Sequence, residues 1–130
     1  MLEVEIIGAG QVAGAPPAAE TERLIALALA AVGIRDGHLA VEYVSASRIA
    51  ELNRAHRGVD GPTDVLSFGV DESGPAAGPR ELGDIVICAA HTADLREAII
   101  HGALHLAGMD HESDDGQMLA LQDELLARDP

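Results

Sequence analysis

His101, His105 and His111 are the residues of this chain best suited to chemistry. They sit in the run His101-Gly102-Ala103-Leu104-His105-Leu106-Ala107-Gly108-Met109-Asp110-His111. On an α-helix, residues four apart stack on one face, so His101 and His105 can present two imidazoles to one point. Gly108 follows a short turn later. A glycine there can take a positive φ, end the helix and send the chain back, which would bring His111 toward the same point. A single histidine is more often a surface group or a satisfied core residue. Here number, spacing and a helix-ending glycine agree, and together they predict a metal site. Three neutral imidazoles with an open fourth position describe a catalytic zinc site, one ion per chain, better than a closed structural one.

A zinc ion so held lowers the pKa of its water toward ~7 and can polarise a phosphoryl oxygen. Both effects suit attack on a phosphodiester. The spacing also reproduces the metalloprotease pattern H-E-x-x-H-x-x-G-x-x-H, in which the Glu after the first His is the general base. In this chain that place is Gly102, so a peptidase of that mechanism would lack its base. Phosphodiester cleavage needs charge stabilised on equatorial oxygens, and Arg57, the catalytic candidate, has the bidentate geometry for it. Its plainer reading is a helix-end cation near the last carbonyls. Asp110 is either an orienting group for a ligand imidazole or a turn residue bonded to its own backbone. Glu97, four before His101, reads as a solvated acid that could approach the site. Asp84 reads as a turn anchor. His38, His56 and His91 read as surface or capping residues. Thr63 and Ser67 could face substrate or simply belong to a strand edge.

These groups must be placed by a chain of 130 residues, enough for one domain, 1–130, with a core that needs no disulfide. Only Tyr43 and Phe68 are aromatic, so the core must come from Ala, Leu, Ile and Val. The lone Cys88 cannot form an internal disulfide, which suits a reducing compartment. It lies in the apolar run Ile85-Val86-Ile87-Cys88 and is expected to be a buried, inert thiol. The start, Met1-Leu2-Glu3-Val4-Glu5, lacks the basic and apolar regions of a signal peptide. Leu24 to Val32 is too short to span a membrane. The expectation is a soluble cytoplasmic protein with no membrane partner.

Net charge is −14, from 8 cations, all Arg, against 22 Asp plus Glu. Such a balance argues against broad non-specific binding to nucleic acid, and no DNA partner is expected. The charge is uneven: residues 1–58 carry a net −2 and residues 59–130 a net −12. A polyanion would be better received by the first part, where Arg48, Arg54 and Arg57 cluster, although solvated helix charges explain Arg48 and Arg54 equally well.

Alternation of Leu2, Val4 and Ile6 with Glu3 and Glu5 predicts a half-buried strand. Gly8 to Pro17 reads as a loop, Ala18 to Val32 as a helix closed by Gly33, and Leu39 to Val44 as a strand. Ser45 or Ser47 can cap a helix to about Arg57, ended by Gly58. Pro62-Thr63-Asp64 leads into a short strand, Val65 to Phe68. Gly69 to Arg80 reads as a mobile surface loop. Leu82 to Ala89 reads as a buried strand. A helix over about Thr92 to Ala107 carries His101 and His105, and Ser113-Asp114-Asp115 starts a last helix through Ala127, its acids favoured by the dipole. No repeat or linker is visible. The fold class is α+β (α/β-type): about four strands in one sheet with four to five helices.

The histidine run resembles the signature of the YbeY family of endoribonucleases, also called ribosomal RNA maturation factors. Leu52-Asn53-Arg54, Arg57-Gly58, Pro62-Thr63-Asp64-Val65-Leu66-Ser67-Phe68 and Leu82-Gly83-Asp84-Ile85-Val86-Ile87-Cys88 resemble that family in the same order. The resemblance covers essentially the whole chain, most firmly from Glu51 onward. It implies a mixed four-stranded sheet packed with helices. A single metal, usually zinc, would be held by His101, His105 and His111. It further implies hydrolytic cutting of single-stranded RNA in small-subunit ribosomal RNA maturation and ribosome quality control, with the ribosome or its proteins as partners. Arg57 matches a family arginine considered important for activity. The chain departs from the family between Cys88 and His101, where members carry a helical lead-in longer by roughly two to three turns of helix. The metal helix is therefore expected to start late.

Two alternatives belong to other classes: a ribosome-associated assembly factor with a structural metal, and a zinc peptidase. Metal binding can itself supply folding free energy, and peptide turnover would mark the second.

Overall fold

The computed structural model describes residues 2–69 and 81–128. Strand β1 (Leu2–Ile7) alternates half-buried and exposed side chains, as its sequence requires. Helix α1 (Ala18–Ala31) crosses to β2 (Gly37–Tyr43), and the two strands pair in parallel from Leu2↔Gly37 to Ile7↔Glu42. A parallel pair needs such a crossover. Helix α2 (Ala46–Arg57) starts at Ser45, whose hydroxyl accepts from the Arg48 amide at 3.2 Å, and ends at Gly58 in the left-handed region. Of the two expected caps, Ser45 is the one used.

Strand β3 (Val65–Gly69) runs antiparallel to β4 (Glu81–Ile87), and β4 lies parallel to β2. The order β1-β2-β4-β3 makes one mixed four-stranded sheet with β3 at an edge. Helices α3 (Leu95–Leu106) and α4 (Gln117–Arg128) follow, giving the α+β class and four α-helices among the described residues.

The sheet has two covered faces. Ile85 and Ile87 of β4 point into the main core with Leu24, Leu29, Ile99 and Leu104 from α1 and α3. Val86, Leu66 and Cys88 point the other way, against Ile49 of α2. Burial on both faces is why β4 reads as a continuous apolar run. Each fully buried Leu or Ile contributes about 1.5–3 kcal/mol, and Cys88 is among the buried residues, with a free thiol. No helix among the described residues is long and apolar enough to cross a membrane.

Several boundaries differ from expectation. Gly69 is the last residue of β3 rather than the start of a loop, and 70–80 lie outside the described residues. Strand β4 ends at Ile87, because Ala89–His91 turn as a one-turn 3-10 helix. Helix α3 begins at Leu95 and not at Thr92, since the Asp94 carboxylate caps it by accepting from the Arg96 and Glu97 amides at 3.0 and 3.2 Å. Helix α4 begins at Gln117. Asp114 accepts from the Gly116 and Met118 amides at 2.8 and 2.9 Å, so the acids expected inside its first turn lie before it.

One surface cluster, His38 with Glu81 and Glu5, fastens three strands. His38 Nδ1 lies 3.0 Å from Glu81 Oε2, and its Nε2 lies 3.9 Å from Glu5 Oε2. The hydrogen bond to Glu81 is the main cause holding the His38 pKa above its ordinary value. A group whose pKa rises on folding stabilises fully below its unfolded pKa and loses that contribution as pH climbs through the folded value. The melting temperature of the parent should therefore exceed that of His38→Ala by more at pH 6 than at pH 9. Equal gaps at the two pH values would refute the pairing.

Candidate metal centre

Helix α3 turns one side to the core, where Ala98, Ile99, Ile100, Ala103 and Leu104 are buried. His101 and His105 lie half-buried at the border of that face. The helix starts at Leu95, six residues before His101. Its end is a Schellman turn. The Gly108 amide donates to the His105 carbonyl at 3.0 Å, and the Met109 amide to the Leu104 carbonyl at 3.1 Å. Gly108 has φ +98, which few residues other than glycine adopt. The reversed chain delivers His111 to the other two rings.

Ring centroids are separated by 4.8 Å for His101–His105, 5.1 Å for His101–His111 and 5.3 Å for His105–His111. One ligand nitrogen from each lies within 4.8 Å of the others. Two rings are fixed from behind. His101 Nδ1 donates to Gln122 Oε1 at 2.8 Å, and His105 Nδ1 donates to the Met109 carbonyl at 2.9 Å. A carbonyl oxygen only accepts, so Nδ1 carries the proton and Nε2 keeps its lone pair. This is the pattern by which metal-ligating histidines are oriented. Burial, and then the charge of His101, hold the His105 pKa below its ordinary value, so the ring is neutral at pH 7 and competent to ligate. Three imidazoles, two of them with the tautomer fixed and His105 held neutral by burial, fit a borderline cation such as zinc.

Gln122 was not legible as a site residue, although a signal exists. Met118, Gln122 and Leu125 form the buried stripe of α4, and Gln122 is 4% exposed. An amide in an apolar stripe needs a partner, and here the partner is a histidine of the triad. Asp110 takes the plainer of its two readings. Its Oδ1 accepts from the Glu112 amide at 3.0 Å, which is the main cause lowering its pKa. The imidazoles are oriented by Gln122 and by the Met109 backbone instead.

The triad opens into a cavity of about 420 Å³ whose lining includes Arg57, Thr63, Ser67, Asp110 and Glu112. Arg57 thus reaches the same space from α2, with its guanidinium 3.7 Å from Glu112 Oε1. Ser67 donates to the Gly102 carbonyl at 3.1 Å, so it both borders the cavity and ties β3 to α3. Arg48 and Arg54 are not in the cavity lining; they pair with Glu51 at 3.1 Å and Asp60 at 3.8 Å. Glu97 is exposed on α3. Asp64, rather than the exposed Asp84, anchors a turn: its Oδ1 accepts from the Val65 amide at 2.8 Å and its carbonyl from the Cys88 amide at 2.8 Å. His38, His56 and His91 stand apart from the triad.

Gly102 is fixed by packing. A Cβ there would meet Ile85 Cγ2 at 2.5 Å. The position faces the sheet instead of the cavity, so a catalytic glutamate has no room in it.

The sequence model of the endoribonuclease YbeY family matches residues 16–128. The chain is 36% identical to the endoribonuclease YbeY of Macrococcus caseolyticus, covering 97% of this chain and 94% of that protein. It is 39% identical to that of Geobacillus kaustophilus, over 82% and 83% of the two chains. The first alignment runs over 145 positions against a chain of 130, so that relative has residues without counterparts here. A solution structure of a Thermotoga maritima protein superimposes with a TM-score of 0.51 at 29% identity, covering 95% of this chain and 86% of that one. A helix-borne histidine pair, a third histidine returned by a glycine turn and a matching sequence over most of the length converge: this chain belongs to the YbeY endoribonuclease family.

Proposed function

We propose that the chain is a zinc-dependent endoribonuclease specific for single-stranded RNA. In this reading it acts in the cytoplasm as a single domain, on the 3′ end of small-subunit ribosomal RNA and in ribosome quality control, in company with the ribosome or its proteins. The observation that carries the reading is the trio of clustered imidazoles, two of them with the Nδ1 proton engaged behind the ring. Family membership supports RNA as the substrate.

His101, His105 and His111 would hold the ion. When bound, it supplies Lewis acidity, activating water near neutral pH and drawing charge from a phosphoryl oxygen. The protein's own groups do the rest. Gln122 and the Met109 carbonyl keep two rings in the ligating tautomer. Arg57, at the far wall, presents two parallel N–H groups to the phosphate in place of Glu112. The half-enclosed cavity admits a flexible strand, which suits single-stranded RNA, whose bases are splayed rather than paired.

Purified protein should cut unstructured RNA only when loaded with metal, and both chelation and His105→Ala should abolish the cutting. Full activity in either case overturns the reading; products ending in a 2′,3′-cyclic phosphate would identify the substrate's own 2′-hydroxyl as nucleophile. Gln122→Leu should keep the fold by circular dichroism yet weaken zinc binding by about 10- to 100-fold in a competition titration. Unchanged affinity would refute the orienting role. Arg57→Ala should lower kcat/KM by about 100-fold, as removal of one preorganised donor does in other sites, with zinc affinity preserved. A loss confined to metal binding would assign Arg57 a structural role instead.

A further inference from the structure

We propose that His56 and Phe68 form a stacking subsite for one base of a single-stranded RNA that crosses the β3 edge beside the metal centre. The proposal rests on the endoribonuclease reading and extends it to how the strand is held.

The chain has two aromatic residues, and Tyr43 is buried. Phe68 is half-buried and carries the exposed His56 against it, with centroids 4.8 Å apart and planes at 63°. Both residues adjoin the catalytic cavity in sequence: Arg57 follows His56, and Ser67 and Gly69 flank Phe68, and all three line the cavity. Alternation along β3 turns Ser67 toward α3 and Phe68 toward α2. β3 is an edge strand among the described residues, with the ring pair on its α2 face and the histidine-bearing helix α3 on the other.

A strand passing over that edge meets a cation next to the ring. Arg57 follows His56 in α2 and lines the cavity, held by Glu112 at 3.7 Å, while Arg54, two residues earlier and on another side of the helix, is held by Asp60 at 3.8 Å. These are long, exposed ion pairs, which contribute little and yield to a phosphate. An exposed imidazole backed by a second ring offers a flat face to a base, and stacking on such faces tolerates any sequence. The alternative is that His56 merely shields Phe68 from water. That role would show in stability and not in substrate affinity.

The test uses the full zinc-loaded chain and unstructured oligoribonucleotides, with a parallel series carrying one abasic position at successive sites. His56→Ala should raise KM by about tenfold, the size of one lost stacked base, with a smaller change in kcat, and His56→Tyr should restore it. Parent and His56→Ala should converge on the oligonucleotide whose abasic position falls at the subsite. His56→Trp introduces the chain's sole tryptophan, whose emission should be quenched by unstructured RNA but not by inorganic polyphosphate. An unchanged KM in His56→Ala, or equal quenching by polyphosphate, overturns the subsite. If the parent cuts RNA and these responses are absent, the subsite fails while the nuclease reading stands. Quenching by RNA alone in a protein that does not cut leaves the subsite standing and removes the catalytic reading.

Discussion

The reversal of the chain at Gly108 is the constraint on which the site depends. A helix can align two histidines by itself, because four residues make slightly more than one turn. A third cannot join them from the same helix without lying further along the axis. The left-handed glycine and the turn's two hydrogen bonds, from Gly108 to His105 and from Met109 to Leu104, convert a linear display into a cluster. The same turn brings the Met109 carbonyl onto His105 Nδ1, so one piece of backbone geometry both recruits the third ring and orients the second.

The depth of the cluster is set by a second glycine. At Gly102 helix α3 approaches β4 so closely that a methyl group would strike Ile85. Ser67 closes the contact with a hydrogen bond to the Gly102 carbonyl. Helix α3 therefore lies low on the sheet and its histidines stand at the level of the β3 edge, where Arg57 arrives from the opposite face. Helix α4 fixes the remaining freedom, because its buried amide grips His101. Elements α2, β3 and α3 thus meet at one cavity with the turn that carries His111, and α4 supports it from behind through Gln122.

Much of this was legible in the residues. Strand alternation in β1, the Ser45 and Gly58 caps of α2 and the doubly buried run of β4 follow from local chemistry that tertiary structure did not override. The ligand candidates were legible because their spacing is a property of helix and turn. What escaped was of two kinds. Caps chosen from several equivalent residues, such as Asp94 ahead of Thr92 or Asp114 ahead of Gln117, depend on where the helix axis must end to pack, which no short window contains. Gln122 was missed because its partner lies twenty-one residues away on another helix. For Asp110 the sequence left two readings open, and the Glu112 amide that its carboxylate accepts from selects the turn role.

The uneven charge has a consequence for traffic into the cavity. The three imidazoles belong to the segment 59–130 with net −12, whereas Arg54 and Arg57 come from the segment with net −2. Among the described residues that line the cavity, Arg57 is joined by Asp64, Asp110 and Glu112, so a polyanion meets attraction and repulsion at the same wall. Dissolved ions screen both forces over about 8 Å at physiological strength. Salt weakens most nucleic-acid binders because they have only attraction to lose. In this chain it also relieves a repulsion, and the two effects act at the same opening.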